Sequence, residues 1–164
     1  MNDPVAYLMR RVLDPIGVRP TFWRRGADNM PFMPQGAGLT ARDWAKFGRF
    51  VYDGGRGLVD AGALAQCFRP SDANPGYGMS WWLLRPGLIP PTPGAGVGID
   101  AAQAAAFGQT EMAAGAGDQR LYLLRNHNLI VARQANQIVR GMFARGDSRW
   151  SDATFLQYLL GVRT

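Results

Sequence analysis

The chain has 164 residues, 47% of them apolar and 18% charged, a balance that fits a folded core and argues against disorder. Its formal net charge is +6, carried by seventeen arginines and the lone Lys46; only Arg10-Arg11 and Arg24-Arg25 are adjacent pairs, so no basic nucleic-acid-binding face is expected. No apolar run approaches the ~20 residues of a membrane-spanning helix. No basic segment leads into an uninterrupted apolar one at the start, so no secretory leader is read and the compartment stays open.

One domain over 1–164 is the simplest organisation, with a helical part at 1–75 and sheet strands plus a last helix at 76–164. Asp3 can cap a helix with Pro4 at its first position, placing Val5, Leu8, Met9 and Val12 on one face until Pro15 and Gly17 end it. Val18 to Gly38, rich in Pro, Gly and Arg, reads as an irregular connection. Thr40-Ala41-Arg42-Asp43 is similar to a capping box, with Asp in place of Glu. It opens a helix with an apolar stripe of Trp44, Phe47 and Val51 that stops at Gly54-Gly55. A shorter helix is expected from Asp60 to Phe68, closed by Pro70; within it Cys67, the only cysteine, reads as a small buried apolar residue and excludes an intrachain disulfide.

The second half is expected to be mostly strand. Tyr77 to Leu84 reads as a strand, and Arg85 to Gln109, with its Pro and Gly run, as a long loop. Three strands follow at Met112 to Gly115, Gln119 to Arg125 and Leu129 to Ala135, with Asn126-His127-Asn128 as the last reversal. Their nearly continuous apolar runs predict a sheet covered by helices on both faces. Asp152 to Val162, carrying Phe155, Leu156, Leu159 and Leu160, is a helix suited to part of that task.

Candidate chemistry is sparse. His127 is the only histidine and sits in a turn; no Cys pair or His-Glu pattern builds a metal site, and no cofactor motif is present. Ser80 in Gly78-Met79-Ser80-Trp81-Trp82 lacks the second glycine of a nucleophile elbow. Ser71, Ser148 and Ser151 have turn or cap contexts, and none is followed three residues later by Lys. Lys46 is expected to pair with Asp43 on a helix surface. Gly94-Ala95-Gly96-Val97-Gly98 has neither a phosphate-loop lysine nor dinucleotide spacing. Gly115-Ala116-Gly117 remains, read either as a strand end with a bulge or as a wall along which a substrate lies while a backbone N–H meets a developing oxyanion. Asp118, Gln119 and Tyr77 could line such a cleft or serve structure alone.

Taken in order, Asp14-Pro15-Ile16-Gly17, Leu39 to Gly48, Tyr77-Gly78 with Trp81-Trp82, and Gly115 to Gln119 with its hairpin resemble the C-terminal half of the β-lactamase-related serine hydrolases. That family includes class C β-lactamases, DD-peptidases, β-lactamase-like esterases and nylon-oligomer hydrolases, the last closest through the Gly-x-x-x-Gln and Tyr-Gly-x-x-Trp-Trp patterns. The resemblance implies an α/β (α+β) fold of the β-lactamase/transpeptidase type, an antiparallel sheet flanked by helices, present here as its C-terminal part. It also implies that Ala113-Ala114-Gly115 stands where members carry Lys-Thr-Gly, so that Ala116 supplies an oxyanion N–H and Gly115, Ala116 and Gly117 form the strand-side wall. The family's Ser-x-x-Lys and Tyr-x-Asn are missing, so no catalytic nucleophile or base is assigned, and the absent Lys or His removes the usual β-lactam carboxylate contact. The expected partner is a small ester or amide substrate once an N-terminal half completes the site, with self-association of the isolated chain through exposed core. The other open reading is a non-catalytic binding or assembly module of the same fold.

Overall fold

The computed structural model describes residues 3–88, 98–135 and 150–162. It is a mixed α+β chain with antiparallel sheets, and it divides into two compact units, residues up to Ala61 and those from Gly62 onward.

In the first unit Asp3 caps α1 (Pro4–Leu8) by accepting the Val5 N–H at 2.9 Å, with Pro4 in the first turn as the sequence predicts. The helix then widens into a π-turn at Met9–Leu13. The wider turn brings Leu13 rather than Val12 into burial. The expected irregular connection instead holds a small antiparallel pair, β1 (Phe22–Trp23) with β2 (Ala37–Gly38), extended by a bridge from Arg25 to Pro31. The Trp23 indole donates to the Phe32 carbonyl at 3.1 Å, and a Cβ on Gly36 would lie 2.4 Å from that carbonyl and 2.6 Å from Trp23 Nε1. Glycine is therefore required there for close approach. Phe22, Met30, Phe32 and Met33 remain exposed on this hairpin.

Helix α2 (Ala41–Tyr52) starts at Thr40, whose hydroxyl accepts the Asp43 N–H at 3.1 Å. The reciprocal arm differs from a true capping box, because the shorter Asp43 carboxylate takes the Thr40 hydroxyl at 2.8 Å instead of the cap's backbone N–H. Asp43 also pairs with Lys46 at 2.8 Å, as expected, and Lys46 donates to the Gly17 carbonyl at 2.7 Å, tying α2 to the end of the first helix. These bonds hold the Asp43 carboxyl below the usual carboxylate range, with the Lys46 bond first and the Thr40 hydroxyl second. Phe50 and Val51 are buried, while Trp44 and Phe47 stack at 5.1 Å and stay half-buried.

In the second unit α3 (Ala61–Gln66) is followed by a tight turn where a longer strand is predicted. Strand β3 covers only Trp82–Leu84, because Tyr77 bridges back to Trp82 and Ser80 takes φ +64°. Gly78 sits so close to Cys67 that a Cβ would lie 2.3 Å from its carbonyl oxygen, and the Met79 N–H donates to that oxygen at 2.9 Å. A continuous strand cannot make that contact. Cys67 itself is half-buried, not buried as expected.

The sheet runs β3-β4-β5-β6, all antiparallel, with β4 at Thr110–Gly115, β5 at Gln119–Leu124 and β6 at Leu129–Arg133. The last reversal matches expectation, with Asn128 taking φ +49° after a short helical turn at Arg125–His127. Between the strands, α4 (Ala101–Phe107) takes up seven residues of the predicted long loop. Its start is a full capping box: the Asp100 carboxylate accepts the Gln103 N–H at 2.8 Å, and the Gln103 side chain takes the Asp100 N–H at 3.0 Å. The Gly94–Val97 part of the glycine run lies outside the described residues.

Helix α5 (Asp152–Leu160) is capped by Ser151 and ends at Gly161 with φ +66°. Ala104 and Phe107 of α4 and Ala153 and Leu156 of α5 form one core with Leu84, Ile99, Met112, Tyr122 and Leu124. Both helices therefore cover the same sheet face. Leu159 is exposed, and β6 is half-buried throughout because it is the outermost strand of the order. The opposite face carries Leu83, Leu121 and Leu123, all fully buried, together with Glu111.

Candidate functional site at the β4–β5 hairpin

Strand β4 is interior, but its two neighbours cover it unequally. Its register with β5 runs the full length from Thr110 to Gly115, whereas its register with β3 stops at Met112. The edge of Ala113, Ala114 and Gly115 on the β3 side thus has no strand partner among the described residues. Ala114, Gly115 and Ala116 are exposed.

Gly115 pairs with Gln119, leaving Ala116, Gly117 and Asp118 as the turn. Gly117 takes φ +69° and Asp118 φ +63°, which explains a Gly and an Asp in sequence without any ligand. Gly115 has a different constraint, since a Cβ there would lie 3.2 Å from the Gln119 Cβ. Ala116 needs neither a positive φ nor close approach, and its N–H meets no acceptor among the described residues.

A polar network that the sequence reading did not identify stands behind this turn. Arg120 donates from Nη1 to the carbonyls of Gly115 at 3.3 Å and Gln119 at 3.0 Å. Its Nε and Nη2 hold the Asp152 carboxylate at 2.8 and 3.1 Å. Asp152 also accepts the Tyr122 hydroxyl and, at 3.0 Å, the Trp150 indole N–H. It stands in the first turn of α5, where the helix dipole favours a negative charge. Arg133 lies directly across from Arg120, but the two like charges are held on different partners: Arg133 stacks over Trp150 at 3.8 Å and donates to the Asp118 carbonyl. Gln119 closes the other side, exchanging bonds with Ala135 at 2.9 and 3.1 Å. The signal for this network was a single Arg leading a run of buried apolar residues, opposite a Ser-Asp helix start.

Burial, the Asp152 charge and the bond to Asp152 together push the Tyr122 phenol far above its ordinary value of 10.0. The neutral phenol is thus favoured in the folded state, so stability is full below the unfolded phenol's value and falls as pH rises above it. From roughly pH 10 upward the folding constant is expected to lose about tenfold per pH unit more than in a Tyr122→Phe variant. Urea titrations of both proteins between roughly pH 9 and 11 check this.

Glu111, on the opposite sheet face, is buried and held by Arg85 at 2.8 Å, Arg125 at 2.9 Å and Gln109 at 2.9 Å. Tyr77 packs edge-on to Trp82 with centroids 4.7 Å apart, a structural contact. His127 is exposed in its turn, with Nε2 3.2 Å from the Phe107 carbonyl. Among the described residues no group of three or more His, Cys, Asp or Glu could hold a metal ion. No helix among them is long and apolar enough to cross a membrane. The hairpin tip accordingly offers a backbone donor on an accessible strand end, with a buried cationic brace behind it. No protein-family model matches the chain, and no curated protein is significantly similar to it.

Proposed function

We propose that the chain is the strand-side part of a serine hydrolase related to the β-lactamases, acting on small esters or amides. In this reading the fold is the C-terminal part of the β-lactamase/transpeptidase type, and Gly115 and Ala116, both exposed, form the wall of the acyl site while Gly117, which is buried, shapes its turn. The Ser and its base come from a separate N-terminal piece. The serine Oγ attacks the substrate carbonyl carbon, the alcohol or amine leaves with a proton, and water later releases the acid. The Ala116 N–H stabilises the oxyanion formed at the carbonyl oxygen. The observation that carries the reading is the N–H of the exposed residue Ala116, without an acceptor among the described residues, beside a strand edge that β3 leaves open.

The competing reading, a non-catalytic binding or assembly module, is favoured by the way Gln119, Arg120 and Arg133 already account for the turn's other polar groups. One experiment separates the two. The coding region upstream of Met1 is read in all frames, and any piece bearing Ser-x-x-Lys is co-expressed with this chain and offered p-nitrophenyl butyrate and a fluorophosphonate probe. Ester hydrolysis and a serine adduct on the upstream piece, with neither from this chain alone, are expected. A stoichiometric serine adduct on the isolated chain would sink the split-site reading, and an upstream region without those motifs favours the module.

A further inference from the structure

We infer that Arg120, held by Asp152, is a positioning residue that sets the direction of the Ala116 N–H. The inference rests on reading that N–H as the oxyanion donor. The Gly115 carbonyl and the Ala116 N–H belong to one planar peptide unit and point in opposite directions, so fixing the oxygen fixes the hydrogen. Gly115 pairs with Gln119 at the end of the strand register, but it has no side chain and Ala116 has only a methyl, so no side chain of their own steadies this peptide where the strand gives way to the turn. Arg120 adds a side-chain hold to that pairing, with Nη1 on the Gly115 carbonyl at 3.3 Å and on the Gln119 carbonyl at 3.0 Å.

The guanidinium is itself fixed. Asp152 engages Nε and Nη2 at 2.8 and 3.1 Å, a two-point grip that sets its plane. Arg120 is 8% exposed and Asp152 5%, so water competes little for the pair. A cation on the carbonyl oxygen also draws charge from the peptide nitrogen and strengthens the N–H on the far side as a donor. Helix α5 thus reaches the hairpin tip through one carboxylate and one guanidinium.

The test uses the isotopically labelled full chain in solution. In the wild type, a guanidinium gripped at both ends is expected to show resolved, slowly exchanging Arg120 Nη resonances. A single averaged Nη signal, meaning free rotation, overturns the inference. Arg120→Lys keeps the charge but cannot reach Asp152 and Gly115 together, and the double variant R120M/D152L removes the pair without leaving a buried charge alone. Whichever of these folds is expected to move the Gly115 carbonyl carbon upfield and shift the Ala116 amide, while the amides of α2 stay in place. Gly115 and Ala116 resonances that superimpose on the wild type overturn it. In the serine-completed hydrolase, Arg120→Lys is expected to lower kcat about tenfold at unchanged KM, less than the ~10²–10³ lost with a whole oxyanion donor. If the resonances shift but no completed protein forms an acyl-enzyme, the hydrolase reading falls while the brace on the Ala116 peptide stands.

Discussion

Replacing Ala116 by Pro is expected to lower kcat about 10²- to 10³-fold in the serine-completed hydrolase, the loss typical of removing one oxyanion-hole donor. Proline deletes the N–H and nothing else that the turn uses. Ala116 does not occupy the left-handed region, its N–H has no acceptor among the described residues, and Gly115 before it is in a strand. The last point matters because proline forces its predecessor toward extended backbone. Ala116→Gly, which keeps the N–H, should hold kcat within a few-fold of wild type. Steady-state hydrolysis of p-nitrophenyl butyrate by the completed protein checks both variants. Equal activity of Ala116→Pro and wild type would remove Ala116 from the proposed reaction.

The second large effect is on stability. Asp152→Ala is expected to destabilise the chain by about 3–5 kcal/mol, the usual cost of breaking a buried ion pair from one side. The substitution strips one acceptor from three donors at once: the Arg120 guanidinium, the Tyr122 hydroxyl and the Trp150 indole. It leaves Arg120 buried and without its main counter-charge. A domain holds only about 5–15 kcal/mol in total, so the variant is expected to be partly unfolded at ambient temperature. Asp152→Asn keeps one carbonyl oxygen and should lose less. Urea unfolding followed by tryptophan fluorescence measures both. A midpoint unchanged in Asp152→Ala would show that the network contributes little.

Much of the architecture was legible because it is written in local rules. Asp3-Pro4, Thr40 and the Ser151-Asp152 start are caps whose chemistry needs only neighbours a few residues away, and the helices begin where those residues stand. The hairpin strands were legible from apolar runs with Asn or Gly between them. What escaped depends on contacts between distant segments. The short β1–β2 pair exists because Gly36 lets the Trp23 ring and the Phe32 carbonyl approach, and β3 is cut short because Gly78 packs on the Cys67 carbonyl. Neither contact has a sequence period. Helix α4 was readable in principle from Asp100 and Gln103 but was masked by the Pro and Gly run before it.

The candidate site divides the same way. Gly115, Ala116 and Gly117 stood out by composition, and the structure gives the two glycines separate reasons to be small, a neighbouring Gln119 Cβ at Gly115 and a left-handed φ at Gly117, while neither constraint falls on Ala116. The open edge beside them follows from where β3 starts, which no motif states. Arg120 and Asp152 were invisible as a pair because 32 positions separate them.

That separation also orders events during synthesis. Arg120 leaves the ribosome before Asp152 does, so the nascent hairpin emerges with its guanidinium still hydrated and its tip unbraced. Only when α5 is made and docks does the carboxylate arrive to lock the peptide in place. A chain cut before residue 152 would keep β4 and β5 but lack the carboxylate that grips Arg120, which makes the last helix the part that sets the hairpin tip.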